Sequence, residues 1–371
     1  MPSPTETLTG AYQLHPGAQT GLTGHRPVLQ AGRLAQLLRG HAAQQIPELL
    51  GSVFTLCGHA HRRAARQALD LAATPQDAPV FHLLETARDH LRSMALDWPQ
   101  RLPGPDAGAG IESLRWLATC PLSMAGPLRM DTEDAAWATL AALRVWLVQH
   151  ILQTDVTDWL RCHHDNDALT EWCQQHAARL LPARCLAHWL GSAPLALPAA
   201  RRLDILHTDP AQQTRQLVAL GQCIAGQPAF AQYPTWLGLC AENGPWTRLR
   251  HREQPGASTL AQRLASRWVD LLELACVTPG TPVERVLSMG TLALGNEQTL
   301  AWCEMARGLL LHWVHRDAAG TVQDYKVIAP TEWNVHPQGT LSSALSALQV
   351  NDTPAAQALA AAFDPCVACS V

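Results

Sequence analysis

Basic tracts, internal repeats, low-complexity segments and long uninterrupted apolar runs are all missing from this 371-residue chain. Its 27 Lys and Arg are dispersed and its formal net charge is only −4, so it presents no field for nucleic acid. The most apolar long stretch, residues 135–152, carries Arg144, Gln149 and His150, too polar in its later half for a simple span. No membrane partner is expected. No signal peptide is read in Met1-Pro2-Ser3-Pro4, and the eleven cysteines are odd in number, which points to a reducing cytoplasm. Tyrosine and phenylalanine are scarce, at three and four, while alanine and leucine dominate, a composition that favours helix. The thirteen tryptophans read as core.

What is there begins at the far end. Asp364-Pro365-Cys366-Val367-Ala368-Cys369-Ser370-Val371 holds two thiols three residues apart. On a turn or a first helical turn that spacing brings both sulfurs to one side, where they can hold a soft ion. The residues alone leave three readings: a metal pair, a redox pair, or two unrelated buried cysteines. Far upstream, Leu56-Cys57-Gly58-His59-Ala60-His61 precedes an alanine-rich helical stretch at 62–73. Cys57 is therefore expected near a helix N-terminus, where the dipole and free N–H groups favour thiolate. His59 and His61 read as solvent-facing residues at a helix start, with an imidazole ligand as the alternative.

Between these ends the chain reads as mainly helical. Residues 1–20 show no period and leave two readings, a tail or a short strand. A short helix is expected over 28–38, ended by Gly40, and a second apolar run over 46–54 leads into Leu56-Cys57-Gly58. Shorter pieces broken by Pro99, Pro103-Gly104-Pro105 and Pro121 follow. Asp131-Thr132-Glu133-Asp134 gives a capping residue and an acidic first turn to a helix carrying Trp137, Leu140, Leu143, Leu147 and Ile151 at spacings of three or four. Cys162-His163-His164 with Cys173 and His176 raise zinc as a minor alternative on residues 155–190. A second striped helix with Leu260, Leu264, Trp268, Leu271 and Ala275 follows Ser258 as its cap. Residues 309–328, turning at Asp317-Ala318-Ala319-Gly320, read as a β-hairpin, Pro330 to Asn334 as a loop, and 341–348 as a last helix.

Four stretches together resemble the large subunit of nickel-iron hydrogenase. Phe363-Asp364-Pro365-Cys366-Val367-Ala368-Cys369 is similar to that family's C-terminal D-P-C-x-x-C motif. The segment from Glu304 to Trp313, with Arg307-Gly308 and His312-Trp313, is similar to its E-A-P-R-G-x-L-x-H-W, and Pro330-Thr331-Glu332-Trp333-Asn334 to its P-T-x-W-N. Leu56-Cys57-Gly58 is similar to the start of its R-x-C-G-x-C. The order and spacing run across most of the chain. The resemblance implies a single large-subunit-like domain over 1–371, of α+β class and mainly helical, with long packed helices and a small β portion. It also implies four thiolates holding nickel and an iron that bears cyanide and carbon monoxide. Carried over by position, Cys57, Cys366 and Cys369 are the metal ligands, and Arg307 and Thr331, with Pro330 beside them, surround the cyanides.

The departures redirect the expectation. The second cysteine of the N-terminal pair is Ala60 here, and the arginine two places before Cys57 is Thr55. The family's histidine after the last cysteine, the cleaved peptide beyond it and the N-terminal R-x-E-G-H glutamate have no counterpart in the sequence. A four-thiolate nickel site cannot be built from these residues. Such a chain resembles the hydrogenase maturation proteins of the HupK/HoxV type. That implies a non-catalytic scaffold holding an Fe(CN)2(CO) group before its transfer to the large-subunit precursor, with maturation factors as further partners and no nickel. Three thiolates can hold iron, and fewer ligands let it go more easily. Two other classes stay open: a divergent hydrogenase enzyme, and a metal-free module that docks maturation factors.

Overall fold

The computed structural model describes residues 10–101, 111–122, 130–190, 195–248 and 259–371. Of the two readings of the N-terminus, the structure has the strand. Strand β1 (Ala11–Leu14) turns back as β2 (Leu22–His25), antiparallel, with Ala11 opposite His25. Tyr12, Leu14 and Leu22 turn inward and seat this hairpin on the core. A 3-10 turn at Pro27–Leu29 and a helix at Arg33–Leu38 share the stretch expected to be one helix.

The helices that bear on the site follow. Helix α1 (Ile46–Val53) has Pro47 in its first turn, where the missing N–H costs nothing. Helix α2 (Gly58–Ala68) starts immediately after Cys57 and buries Ala60, Ala64, Ala65 and Ala68. These small side chains let it lie close to α1. At Gly58 a Cβ would stand 2.8 Å from the Gly51 carbonyl, so only glycine permits the approach. Helix α3 (Pro79–Arg92) runs on through a wider π turn into Trp98–Arg101. The breaker Pro103-Gly104-Pro105 lies outside the described residues.

Helix α4 (Glu133–Trp146) is capped by Thr132 as expected, its hydroxyl accepting from the Ala135 N–H at 3.2 Å. With its wider final turns it spans Glu133–Leu152, long and apolar enough by length and composition to cross a membrane. In this fold Leu140, Leu143, Leu147 and Ile151 are buried, and the helix packs on α3. Helix α5 (Leu260–Ala275) carries the expected stripe, all of it buried. Its cap is Thr259 and not Ser258, which lies outside the described residues. Extended Thr259 accepts from the Gln262 N–H at 3.2 Å, and the Gln262 side chain returns to the Thr259 N–H at 3.1 Å.

The expected hairpin is half of a four-stranded antiparallel sheet. Strands β3 (Met289–Gly295), β4 (Gln298–Met305), β5 (Gly308–Arg316) and β6 (Val322–Ile328) pair in sequence order. Asn296 and Glu297, at φ 51° and 58°, make the tight turn between β3 and β4. Gly308 sits at φ 132° with the Asn243 amide against it, a place closed to any side chain. The segment expected to be a loop is a short helix, α6 (Pro330–Asn334), begun by its proline. Of the last helix only Thr340–Ser346 forms, and a further one, α7 (Thr353–Phe363), follows it. Beyond α7 the chain ends as β7 (Ala368–Ser370), parallel to β1, so that one small sheet of order β2-β1-β7 joins the two ends of the chain.

The zinc alternative falls away. Residues 155–190 form helices at Val156–Cys162, Asn166–His176 and Leu181–Leu190. His163 and His176 stack on Trp159 and Trp172, each giving its Nδ1 proton to the carbonyl of that tryptophan at 2.8 Å. Cys162 is exposed while Cys173 is buried, so the two thiols do not share one environment.

Candidate metal centre

Cys57 caps α2, as the sequence led one to expect, yet the thiolate argument fails there. Burial pushes its thiol well above the ordinary value, the nearby Cys366 sulfur and Glu85 add to that, and Arg307 only opposes it. The N–H groups that would favour a thiolate are also taken. Glu85 on α3 accepts from His59 at 2.8 Å and from Ala60 at 2.9 Å. Burial in turn pushes the Glu85 carboxyl up to about 7. Ala60 is fully buried, and its carbonyl accepts the Cys303 thiol at 3.7 Å.

Of the two flanking histidines, His61 is buried, while His59 is half-buried and borders a solvent-entered cavity. His61 stacks on Phe54 with ring centroids 4.0 Å apart, and its Nδ1 lies 3.0 Å from His312 Nε2. His312 continues to the Tyr325 hydroxyl at 2.8 Å. His59 is half-buried beside His82. The physical reason is position: α2 is walled by α1 on one side and by β4 and β5 on another, which encloses His61, while the side of its first turn that carries His59 borders the cavity. Burial lowers His59, His82 and His312 to about 3, so all three are neutral.

The C-terminal thiols are fixed by charge. Helix α7 ends at Asp364, which takes a left-handed conformation with φ 44° and is buried. Arg307, in the turn between β4 and β5, gives its Nε proton to the Asp364 carbonyl at 3.1 Å and pairs through Nη1 with Asp89 of α3. Arg267 of α5 brings Nη2 within 2.9 Å of the Asp364 carboxylate. Burial alone would raise the Asp364 carboxyl, and Arg267 and Arg307 hold it below its ordinary value instead. Burial likewise works against the Arg307 charge, which Asp364 and Asp89 more than restore.

Two residues past this clamp, the Cys366 sulfur accepts from the Thr331 hydroxyl at 3.1 Å and from Arg26 Nη1 at 3.2 Å. The Cys366 N–H closes on the Thr331 hydroxyl at 3.2 Å. Arg26 also reaches both carboxylate oxygens of Glu332, at 3.3 and 3.4 Å. Cys369 sits in β7 opposite Tyr12, half-buried, its thiol pushed up to about 12 by burial. Pro330 supplies no polar atom; it opens α6 and so sets Thr331 and Glu332 beside Cys366.

All six residues expected at the site thus lie around one region. Cys57 and Cys369 both feel the charge of Cys366, and Arg307 feels Cys366 and Cys57. Among the described residues no three Cys, His, Asp or Glu side chains close into a metal cage. The donor set itself, three thiols beside two guanidiniums and a hydroxyl, suits a soft metal carrying anionic ligands. Arg307 and Thr331 already have protein partners here, in Asp89, Asp364 and Cys366. A cavity of about 960 Å³, lined by Gly58, His59, Arg62, Glu85, Arg88 and Asp89, leads in from solvent beside this region. Sequence reasoning missed Arg26, Glu85, Asp89, Arg267 and Glu332. Only Glu332 had a signal, as the variable position of the P-T-x-W-N stretch.

Comparison with known proteins bears on the family and the fold. The family model described as nickel-dependent hydrogenase matches residues 233–371. Hydrogenase expression/formation protein HoxV of Cupriavidus necator is 33% identical over 97% of this chain and 94% of its own length. The HupK proteins of Rhizobium leguminosarum bv. viciae and Bradyrhizobium diazoefficiens, both also titled hydrogenase expression/formation proteins, are each 28% identical, over 90% and 91% of this chain and 88% and 89% of their own. Among solved structures, the fold is similar to a chain of an NAD+-reducing NiFe hydrogenase, with TM-score 0.51 and 14% identity over 93% of this chain and 92% of that one. A variant of the NiFeSe hydrogenase of Desulfovibrio vulgaris Hildenborough gives TM-score 0.52 and 16% identity over the same shares of each chain.

Proposed function

The chain belongs to the family of hydrogenase expression/formation proteins that includes HoxV and HupK, and from that premise we propose that it is a non-catalytic scaffold of hydrogenase maturation in the cytoplasm. Its cargo is the Fe(CN)2(CO) group, carried on Cys366, Cys369 and Cys57 and passed to the hydrogenase large-subunit precursor; the maturation factors that deliver the group are its other partners. One observation carries the reading. Where a fourth thiolate would complete a permanent site, Ala60 is fully buried, its N–H on Glu85 and its carbonyl on Cys303. A methyl group there leaves three sulfurs, enough to hold a soft low-spin iron and too few to trap it with nickel.

The roles of the other residues follow from chemistry. Arg307, Thr331 and Pro330 line the cyanide side of the cargo: the guanidinium offers hydrogens to anionic ligands, the Thr331 hydroxyl has a single proton to give, to a cyanide or, as in this structure, to the Cys366 sulfur, and the proline ring keeps water out. The Asp89–Arg307–Asp364 clamp holds the turn that leads into Cys366. A second reading, a metal-free docking protein, is favoured by one feature, the lack of a closed cage among the described residues.

Infrared spectroscopy separates them. The protein is purified anaerobically from cells with intact maturation machinery, and its iron and nickel are measured alongside. Cyanide and carbonyl stretches with iron and without nickel, lost in Cys366→Ala or Cys369→Ala, are the expected result. Bands with both metals would make it a divergent hydrogenase, and a spectrum without bands would leave the docking protein.

A further inference from the structure

We propose that Arg26 is a positioning residue that makes Cys366 the weakest of the three sulfur ligands, and so the sulfur from which a bound metal parts first. This rests on the metal-holding reading above. The observation behind it is an asymmetry. Cys366 Sγ accepts two side-chain hydrogen bonds, from Arg26 at 3.2 Å and Thr331 at 3.1 Å. Among the described residues no side chain donates to the sulfur of Cys57, and the Cys369 sulfur has only its own weak contact to the Val367 carbonyl at 3.8 Å. A donor hydrogen on a thiolate draws on the lone pair that would otherwise go to the metal. Outer-shell bonds of this kind tune metal sites on the order of 10–100-fold in affinity.

Arg26 is built to do this without moving. It is 3% exposed at the end of β2, with Pro27 stiffening the chain after it and the Phe54 ring 5.4 Å from its guanidinium carbon. Glu332 takes Nη1 with both carboxylate oxygens, and Nε has no partner among the described residues. The Glu332 pairing also decides between two opposed effects. A lone guanidinium would attract an anionic cargo and slow its loss. Paired at 3.3 Å, the two charges largely cancel at a distance, while the directed N–H bond to sulfur persists. Position is inherited from the fold: the hairpin that supplies Arg26 is the one on which β7 and Cys369 are docked.

The test uses the full chain with Co²⁺ as probe, reading the thiolate-to-metal charge-transfer band and the rate of metal loss to excess chelator. The variants are Arg26→Met combined with Glu332→Gln, which leaves no buried carboxylate unpaired, and separately Thr331→Val. Removing a donor raises the energy of the sulfur lone pair. Each variant is therefore expected to shift the band to lower energy and to slow metal loss, on the order of tenfold for the Arg26 change. In a Cys366→Ala background the Arg26 change should move neither quantity. A thiolate band that stays put in the Arg26 variant, or metal that leaves that variant faster, overturns this inference alone. A parent chain that binds Co²⁺ without any thiolate band overturns the metal-holding reading and this inference with it.

Discussion

At the scale of single residues, position 60 is where, on the function proposed above, the protein parts from a permanent metal site. Its side chain is a methyl in a fully buried place, next to the Glu85 carboxylate and the Cys303 thiol. Ala60→Cys would restore a fourth sulfur and overfill this space, at a cost of about 1–3 kcal/mol. The expected outcome is a chain of lower melting temperature that keeps its iron group longer, read as infrared bands that persist on the scaffold after mixing with large-subunit precursor. Transfer at the parental rate would remove Ala60 from the mechanism. Cys366 and Cys369 stood out in the sequence because thiol spacing is a local signal, and Cys57, which has no thiol three residues on, stood out only through the resemblance. Arg26, Asp89 and Glu332 could not, since a buried charge inside an apolar pattern looks like any surface residue until the fold brings its partner across 218 to 306 positions of chain.

Single elements differ in how openly the sequence states them. Helices α4 and α5 were legible because a 3.6-residue stripe acts locally, although the α5 cap is Thr259, one residue after the serine the sequence offered. Strands β3 and β4 were not. From Leu300 to Met305 every residue of β4 is buried, so the alternation that marks a half-buried strand is absent. Strand β7 was invisible for another reason, as its three residues become a strand only against β1, at the other end of the chain. It is also the weakest element of the site: short, at a sheet edge, with Ala368 and Ser370 exposed. Central β5, by contrast, is paired on both sides and buried along 308–314. Amide exchange at 368–370 should therefore be faster than at 309–314 by orders of magnitude, and metal loading should slow it at Cys369. Equal protection in the two strands before loading would mean that Cys369 is held as rigidly as the core.

Across the whole molecule, buried ionisable groups tie distant segments together, and their titration sets the pH range in which the fold survives. His59 and His82 link α2 to α3, and His312 reaches back from β5 to His61. Each has a folded pKa of about 3 against an ordinary 6.5, because burial penalises the imidazolium. The unfolded chain therefore takes up protons that the folded chain refuses. Their contribution is intact above pH 6.5 and is lost progressively as the pH falls toward 3, on the order of 2 kcal/mol for each histidine at pH 5. Glu85 has the opposite sign: raised to about 7, it costs stability as the pH rises from 4.5 to 7, on the order of 3 kcal/mol in all. Three histidines outweigh one carboxyl, so the melting temperature should fall as the pH is lowered from 7 to 5. Glu85→Gln removes the opposing contribution, and its melting temperature should fall more steeply than the parent's over the same interval. A parent melting temperature that does not change between pH 5 and 7 would mean that these histidines are hydrated in solution and that the packing of α2 against β5 is looser than the structure has it.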